Sequence, residues 1–264
     1  MSLFDGTNFS WIVINTSNTN AAAAFYERLF GWTTTDSPVG KILMTRAGRP
    51  LGTLLDHGQN TFANKEPVNW LPFVRVPDVA AAVRRAGELG GRTWVEPYDV
   101  GIARIALIRG VTREALGLWQ TPRDPDGASI VADNEAFGWF ELVTPDPEKA
   151  MAFYRGLLGW RIGDEGGYTF IGNAEGQFAG IVKLSGDWED FAFMQAIGKV
   201  RGGKLNVPPH WMVFFNVEDC ETFVDEAEDL GAYVMARAEP LHTVGTFAVL
   251  RDPQGVYFSV LSKR

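Results

Sequence analysis

The chain has 264 residues, of which 46% are hydrophobic and 21% charged, and it carries a formal net charge of −8. That balance belongs to a globular protein, and the negative charge argues against nucleic acid or an anionic membrane as partner, whose phosphates would be repelled. One cysteine, Cys220, excludes an internal disulfide and a cysteine-rich metal site.

No apolar run approaches the roughly 18 residues of a membrane helix. The opening Met1-Ser2-Leu3-Phe4-Asp5 lacks the basic and apolar regions of a signal peptide, so a cytoplasmic location is expected.

In chain order, a short alternating strand at Trp11-Ile12-Val13-Ile14-Asn15 leads into a helix with Asn18 as cap and Gly31 as stop. Short strands follow at Lys41–Arg46 and Gly52–Asp56. A second strand, Trp70–Val76, leads into a helix over Val79–Leu89, capped by Asp78 and stopped by Gly90-Gly91. Strands near Ala103–Ile108 and Leu116–Gln120 come next. The turn-rich stretch Thr121-Pro122-Arg123-Asp124-Pro125-Asp126-Gly127 reads as a linker.

The plan then repeats. Trp139–Val143 leads into a helix with Asp146 as cap, Pro147 in the first helical position and Gly159 as stop. Strands are expected at Tyr168–Gly172 and Gly180–Leu184. Trp211–Val217 leads into a helix over Cys220–Leu230, and strands at Phe247–Leu250 and Tyr257–Leu261 close the chain.

Phe25-Tyr26-x-x-Leu29-x-Gly31-Trp32 recurs 128 positions on as Phe153-Tyr154-x-x-Leu157-x-Gly159-Trp160. Repetition at half the length marks a duplication. The units are about 8–60 and 68–121 in a first domain (1–122), a linker at 123–136, and about 137–186 and 209–262 in a second domain (137–264). Between Gly180 and Trp211 the offset grows to 141, so the second half carries an insertion, which reads either as a lid over a pocket or as an unmatched surface loop. Duplication within one chain can replace a dimer, so a monomeric pseudo-dimer or a homodimer is expected.

Four strand–helix–strands units with F-Y-x-x-L-x-G-W closing the first helix of each half resemble the glyoxalase/bleomycin-resistance/extradiol-dioxygenase (vicinal oxygen chelate) superfamily. W-F-E-L-V-T-P-D-P-E-K-A at 139–150 and P-P-H-W-M-V-F-F-N-V-E-D at 208–219 are similar to a bacterial tandem subgroup of it. The resemblance implies an α+β fold: four βαβββ units forming two curled mixed sheets, each around a concave cavity. It also implies metal-ligand positions, and these fall on Trp11 and Trp139, on Trp70-Leu71 and Trp211-Met212, and on Leu118 and Ser259. None is a good ligand, so no cofactor and no catalytic metal are expected. A divalent ion would require Glu141 and His210 to recruit a further ligand.

Strand periodicity puts Glu141 on the same face as Trp139, and His210 precedes Trp211; the first half has Val13 and Asn69 at those places. Desolvation of Glu141 would make it an acid or base near neutrality, with His210 as partner. Trp139, Trp211, Ser259, Tyr257, His242, Gln195 and Asn216 are the candidate substrate contacts. The functional expectation is metal-independent isomerase, lyase or cyclase chemistry on a hydrophobic or aromatic small molecule in the second half. The alternatives are a non-catalytic binding or antibiotic-resistance protein and a metal-dependent lyase or dioxygenase.

Overall fold

A computed structural model describes residues 8–58, 69–121, 136–183, 208–241 and 244–263. In the first half the order is β1 (Phe9–Thr16), α1 (Thr19–Phe30), β2 (Thr33–Ser37), β3 (Gly40–Met44), β4 (Pro50–Asp56), β5 (Asn69–Arg75), α2 (Val79–Glu88), β6 (Arg92–Asp99), β7 (Arg104–Arg109) and β8 (Ala115–Gln120). The second half repeats it as β9 (Phe137–Thr144), α3 (Pro147–Leu158), β10 (Arg161–Glu165), β11 (Tyr168–Gly172), β12 (Gln177–Lys183), β13 (His210–Asn216), α4 (Cys220–Asp229), β14 (Tyr233–Leu241), β15 (Gly245–Arg251) and β16 (Tyr257–Lys263).

Local chemistry sets the helix ends. Asn18, Asp78, Asp146 and Asp219 each accept a backbone N–H of the first turn through the side chain. Gly31 and Gly159 then leave α1 and α3 at φ 69° and 67°, a conformation that costs glycine nothing. The helix in each unit carries the chain back across the sheet, so β1 pairs in parallel with β4, and β9 with β12.

Two eight-stranded mixed sheets result, ordered β2-β3-β4-β1-β5-β8-β7-β6 and β10-β11-β12-β9-β13-β16-β15-β14. The α+β fold of two tandem βαβββ pairs expected from the sequence is the one observed. Four strands escaped the sequence reading: β2, β6, β10 and β14 lie at the sheet edges. Mostly exposed or half-buried, three of them lack the inside–outside alternation that marks a strand.

Each sheet has two unlike faces. The helix-covered faces of both sheets meet in one core drawn from both halves. Phe9 stacks on Phe140 with ring centroids 3.8 Å apart, and Phe30 packs on Phe215 at 5.3 Å. The repeated tyrosine reaches across this core in both directions. Tyr26 of α1 donates to Asp252 (3.0 Å) in the β15–β16 turn, and Tyr154 of α3 donates to Glu114 (2.8 Å) in the β7–β8 turn. Glu114 also accepts from Thr112 (2.5 Å), and burial pushes its carboxyl above the usual range. The other, inner face of each sheet carries a separate apolar cluster. No helix among the described residues is long and apolar enough to cross a membrane.

Candidate functional site

Period-two alternation along β9 sends Phe140 and Leu142 into the shared core and Trp139 and Val143 to the inner face. Glu141 goes with the latter pair, opposite Gly180 on β12 and Met212 on β13. Its carboxylate is 4% exposed.

The partner of Glu141 is Tyr168, which donates to Oε1 at 3.0 Å and accepts from Trp139 Nε1 at 3.3 Å. Tyr168 stands on β11 and reaches β9 across the bare backbone of Gly180, where a Cβ would run into the phenol oxygen. Burial pushes the Glu141 carboxyl up to about 7, and the hydrogen bond from Tyr168 opposes part of that rise. The phenol of Tyr168 is itself raised, by burial first and then by the Glu141 charge. Glu141 is thus poised to gain or lose a proton near neutrality.

His210 opens β13 opposite Val143, one diagonal step from Glu141 on the same face. Its Nδ1 lies 2.9 Å from the Pro208 carbonyl, which can only accept, so Nδ1 carries the proton and Nε2 is left as an acceptor. Burial lowers the histidine below its ordinary value, favouring the neutral ring. No hydrogen bond joins Glu141 and His210 among the described residues.

The remaining sequence candidates scatter. Ser259 is inward and 2% exposed, opposite Phe214 and Val249. Tyr257 is half-buried at the start of β16, opposite Arg251. Asn216 ends β13, six residues and about 20 Å along the strand from His210, with its amide over Gly138. Trp211 does not face the cavity. Parity turns it into the shared core, where its Nε1 donates to Tyr154 at 3.2 Å, so its assignment as a substrate contact is corrected. Gln195, His242 and the insertion lie outside the described residues.

The first-half counterpart of Ser259 also changes. Ser259 pairs with Phe214 as Gly117 pairs with Phe73, so the match is Gly117 and not Leu118, which points into the shared core. The shift arises in the preceding turn. Arg113, at φ 80°, occupies the left-handed position that Gly255 takes at φ 93°, placing the turns one residue out of the expected alignment.

The two inner faces carry different side chains among the described residues. In the second half Tyr168 (3% exposed), Phe170, Met212 and Phe214 pack over the sheet. In the first half the residue matching Tyr168 is Gly40, and a cleft of about 890 Å³ opens there. Its wall includes Trp11, Val13, Phe73, Tyr98 and Trp119, and its rim includes Asp36, Lys41 and Asp56. Trp11 and Trp119 stack with centroids 5.0 Å apart at 12°. Sequence reasoning expected a cavity in each half but missed Tyr168 and gave the first-half cavity no role. The Gly40/Tyr168 difference at constant offset was the available signal.

The metal positions implied by the resemblance can be tested on the donors present. On the second-half inner face Trp139 and Ser259 both pair with Phe214, and Met212 lies two residues away. An indole, a hydroxyl, a phenyl and a thioether make a poor set for a divalent ion that favours carboxylate, imidazole or thiolate. No group of three or more His, Cys, Asp or Glu able to hold a metal occurs among the described residues. The described residues at these positions do not fit a metal.

Comparison with known proteins places this geometry in a wider set. The family model described as Glyoxalase/Bleomycin resistance protein/Dioxygenase superfamily matches residues 8–131 and again 136–260. "Putative glyoxylase CFP32" of Mycobacterium tuberculosis is 33% identical over 258 residues, covering 96% of this chain and 93% of that protein. "Anthracycline biosynthesis protein DnrV" of Streptomyces peucetius is 30% identical over 277 residues, covering 97% and 93%. Among solved structures, the Mn(II)-bound glyoxalase of Novosphingobium aromaticivorans superposes with TM-score 0.64 at 13% identity, covering 96% of this chain and 81% of that one. Homoprotocatechuate 2,3-dioxygenase of Arthrobacter globiformis gives 0.62 at 15%, covering 100% and 81%. At such identities the structural likeness concerns the fold. With both halves matched by one family model, the chain belongs to the glyoxalase/bleomycin-resistance/dioxygenase superfamily, as two copies of its domain in tandem.

Proposed function

We propose that the protein moves a proton on a hydrophobic, flat small molecule in an isomerisation, elimination or cyclisation that needs no metal. The observation that carries this reading is Glu141, a carboxylate buried on the inner face of an apolar sheet and pushed to about 7. In this reading the ionised carboxylate accepts a proton from an acidic C–H or O–H of the ligand and returns it at another atom or to a leaving group. Tyr168 steadies the ionised form, and the neutral imidazole of His210 orients or exchanges a second proton. Because Glu141 is 4% exposed, the ligand enters by displacing apolar side chains that now cover it. The name of the relative DnrV, a protein of anthracycline biosynthesis, agrees with a polycyclic aromatic ligand.

A second reading, a binder without catalysis, draws on a different observation: an open cleft lies in the half that lacks the carboxylate. Native mass spectrometry of protein purified from its own host would identify a retained small molecule, and turnover of that molecule by Glu141→Gln separates the two. The acid–base reading expects the variant to lose about 10²–10⁴-fold in rate with its fold intact. Wild-type turnover by the variant would sink it, and absence of turnover by either protein would favour the binder.

A further inference from the structure

The two tyrosine–carboxylate bonds between the halves are built differently. The β7–β8 and β15–β16 turns correspond residue by residue, since Arg109 pairs with Ala115 as Arg251 pairs with Tyr257. Gly110 therefore stands where Asp252 does, and Glu114 stands where Val256 does. The first half supplies its carboxylate from the far end of the turn, and Gly110 leaves it room: a Cβ there would run into Oε1 of Glu114. Asp252 gives Oδ2 to Tyr26 and Oδ1 to the backbone N–H groups of Gln254 and Val256 in its own turn. Glu114 gives Oε1 to Tyr154, while its Oε2 accepts from Thr112 Oγ1, which accepts in turn from Thr144 Oγ1 at 2.9 Å. Gln254 takes the place of Thr112 in the other turn, and its buried Oε1 has no hydrogen-bond partner among the described residues.

We propose that Glu114 is a positioning residue that the first half lends to the second-half site, holding in place the two strands that carry His210 and Glu141. Tyr154, bound to one of its oxygens, also accepts from Trp211 Nε1 at 3.2 Å, and Trp211 follows His210 on β13. The other oxygen reaches through Thr112 to Thr144, which ends β9 three residues after Glu141. These strands are paired at that point, with His210 opposite Val143 and Trp211 opposite Leu142. Both arms approach from the side of Trp211 and Leu142, which is the shared core, so Glu114 grips from behind the strands whose inner face bears the site. Glu114, Tyr154 and Thr144 are fully buried, so a broken arm leaves a polar atom without water as well as without its partner. Asp252 has no second arm of this kind, and it faces the half that has Val13 and Asn69 in place of Glu141 and His210. The role rests on the proposed acid–base function for its purpose, but it concerns where two side chains stand, which is measured without a substrate.

Nuclear magnetic resonance of the full chain tests it, reading the His210 ring nitrogens and the Glu141 carboxyl carbon across pH. In the wild type Nδ1 of His210 should carry the proton, bound to the Pro208 carbonyl, and Glu141 should titrate at about 7. Thr112→Val cuts one arm and keeps Tyr154 on Glu114. Gly110→Asp with Glu114→Val transplants the turn of the second half, giving Tyr154 an acceptor but no arm to Thr144. In both, His210 is expected to lose its fixed tautomer, and Glu141 to bind its proton about 3–10-fold less tightly as water reaches it. Thr112→Ser keeps the hydroxyl and should return both signals to wild type. Tyr26→Phe cuts the mirror bond and should leave both unchanged. Unaltered signals in Thr112→Val overturn the proposal, as do signals in Thr112→Ser that match those of Thr112→Val. Equal changes in Tyr26→Phe would mark general loosening and overturn it too. If the double variant does not fold, the Thr112 pair decides alone. Wild-type turnover by Glu141→Gln would refute the acid–base function without touching these resonances, so the two failures are told apart.

Discussion

Glu141 couples protonation to stability in a direction opposite to most carboxylates. Its ordinary value is 4.5 and its folded value about 7, so the folded chain holds the proton more tightly than the unfolded one. The cost of burying the charge is fully present above about pH 7 and is relieved as pH falls through that value. Ionisation costs about 3 kcal/mol from a shift of this size. Glu141→Gln should therefore be more stable than wild type at pH 8, with the difference shrinking towards pH 5, as read from paired urea titrations. A constant difference across that range would contradict a carboxylate titrating near 7. Gly180 belongs to the same arrangement: Gly180→Ala should push Tyr168 off Glu141 and cost about 1–3 kcal/mol, seen as a lowered denaturation midpoint. Glu141, and its inward direction, were legible from strand parity. Tyr168 was not, because its relation to Glu141 crosses an intervening strand.

At the scale of elements, the repeated helix motif acquires a reason that its own unit does not contain. Phe-Tyr-x-x-Leu-x-Gly-Trp ends a helix at a left-handed glycine, as its sequence announces. Its tyrosine, however, serves the other half, through Tyr26–Asp252 and Tyr154–Glu114. Tyr154→Phe strips a donor from fully buried Glu114 and an acceptor from Trp211 Nε1. A loss of about 1–3 kcal/mol is expected by chemical denaturation, whereas an unchanged midpoint would show that the bond contributes little. Helix ends were readable because caps are local chemistry. The edge strands β2, β6, β10 and β14 were not, since their pairing partners alone make them strands.

At the scale of the molecule, the halves are sequence repeats that fold as one body. The shared core takes Phe9, Phe30 and Trp70 from one half and Phe140, Trp211 and Phe215 from the other. The full chain should thus unfold in a single transition by calorimetry. A fragment of residues 1–122 should lack cooperative unfolding and bind a hydrophobic dye, because its helix-covered face has lost its partner. A fragment that unfolds as sharply as the whole would refute the shared core as the source of stability.

The sequence by itself determined the duplication, the strand–helix–strands order, the helix ends and the inward carboxylate. These depend on period, capping and offset, which are properties of neighbours along the chain. Only the tertiary structure decided that Trp211 belongs to the core, that Gly117 and not Leu118 answers Ser259, and that Tyr168 reaches Glu141. Those outcomes depend on register and on volume. One residue of slip in a turn changes which side chains correspond, and where the first half has Gly40 beside a cleft the second has the buried phenol of Tyr168.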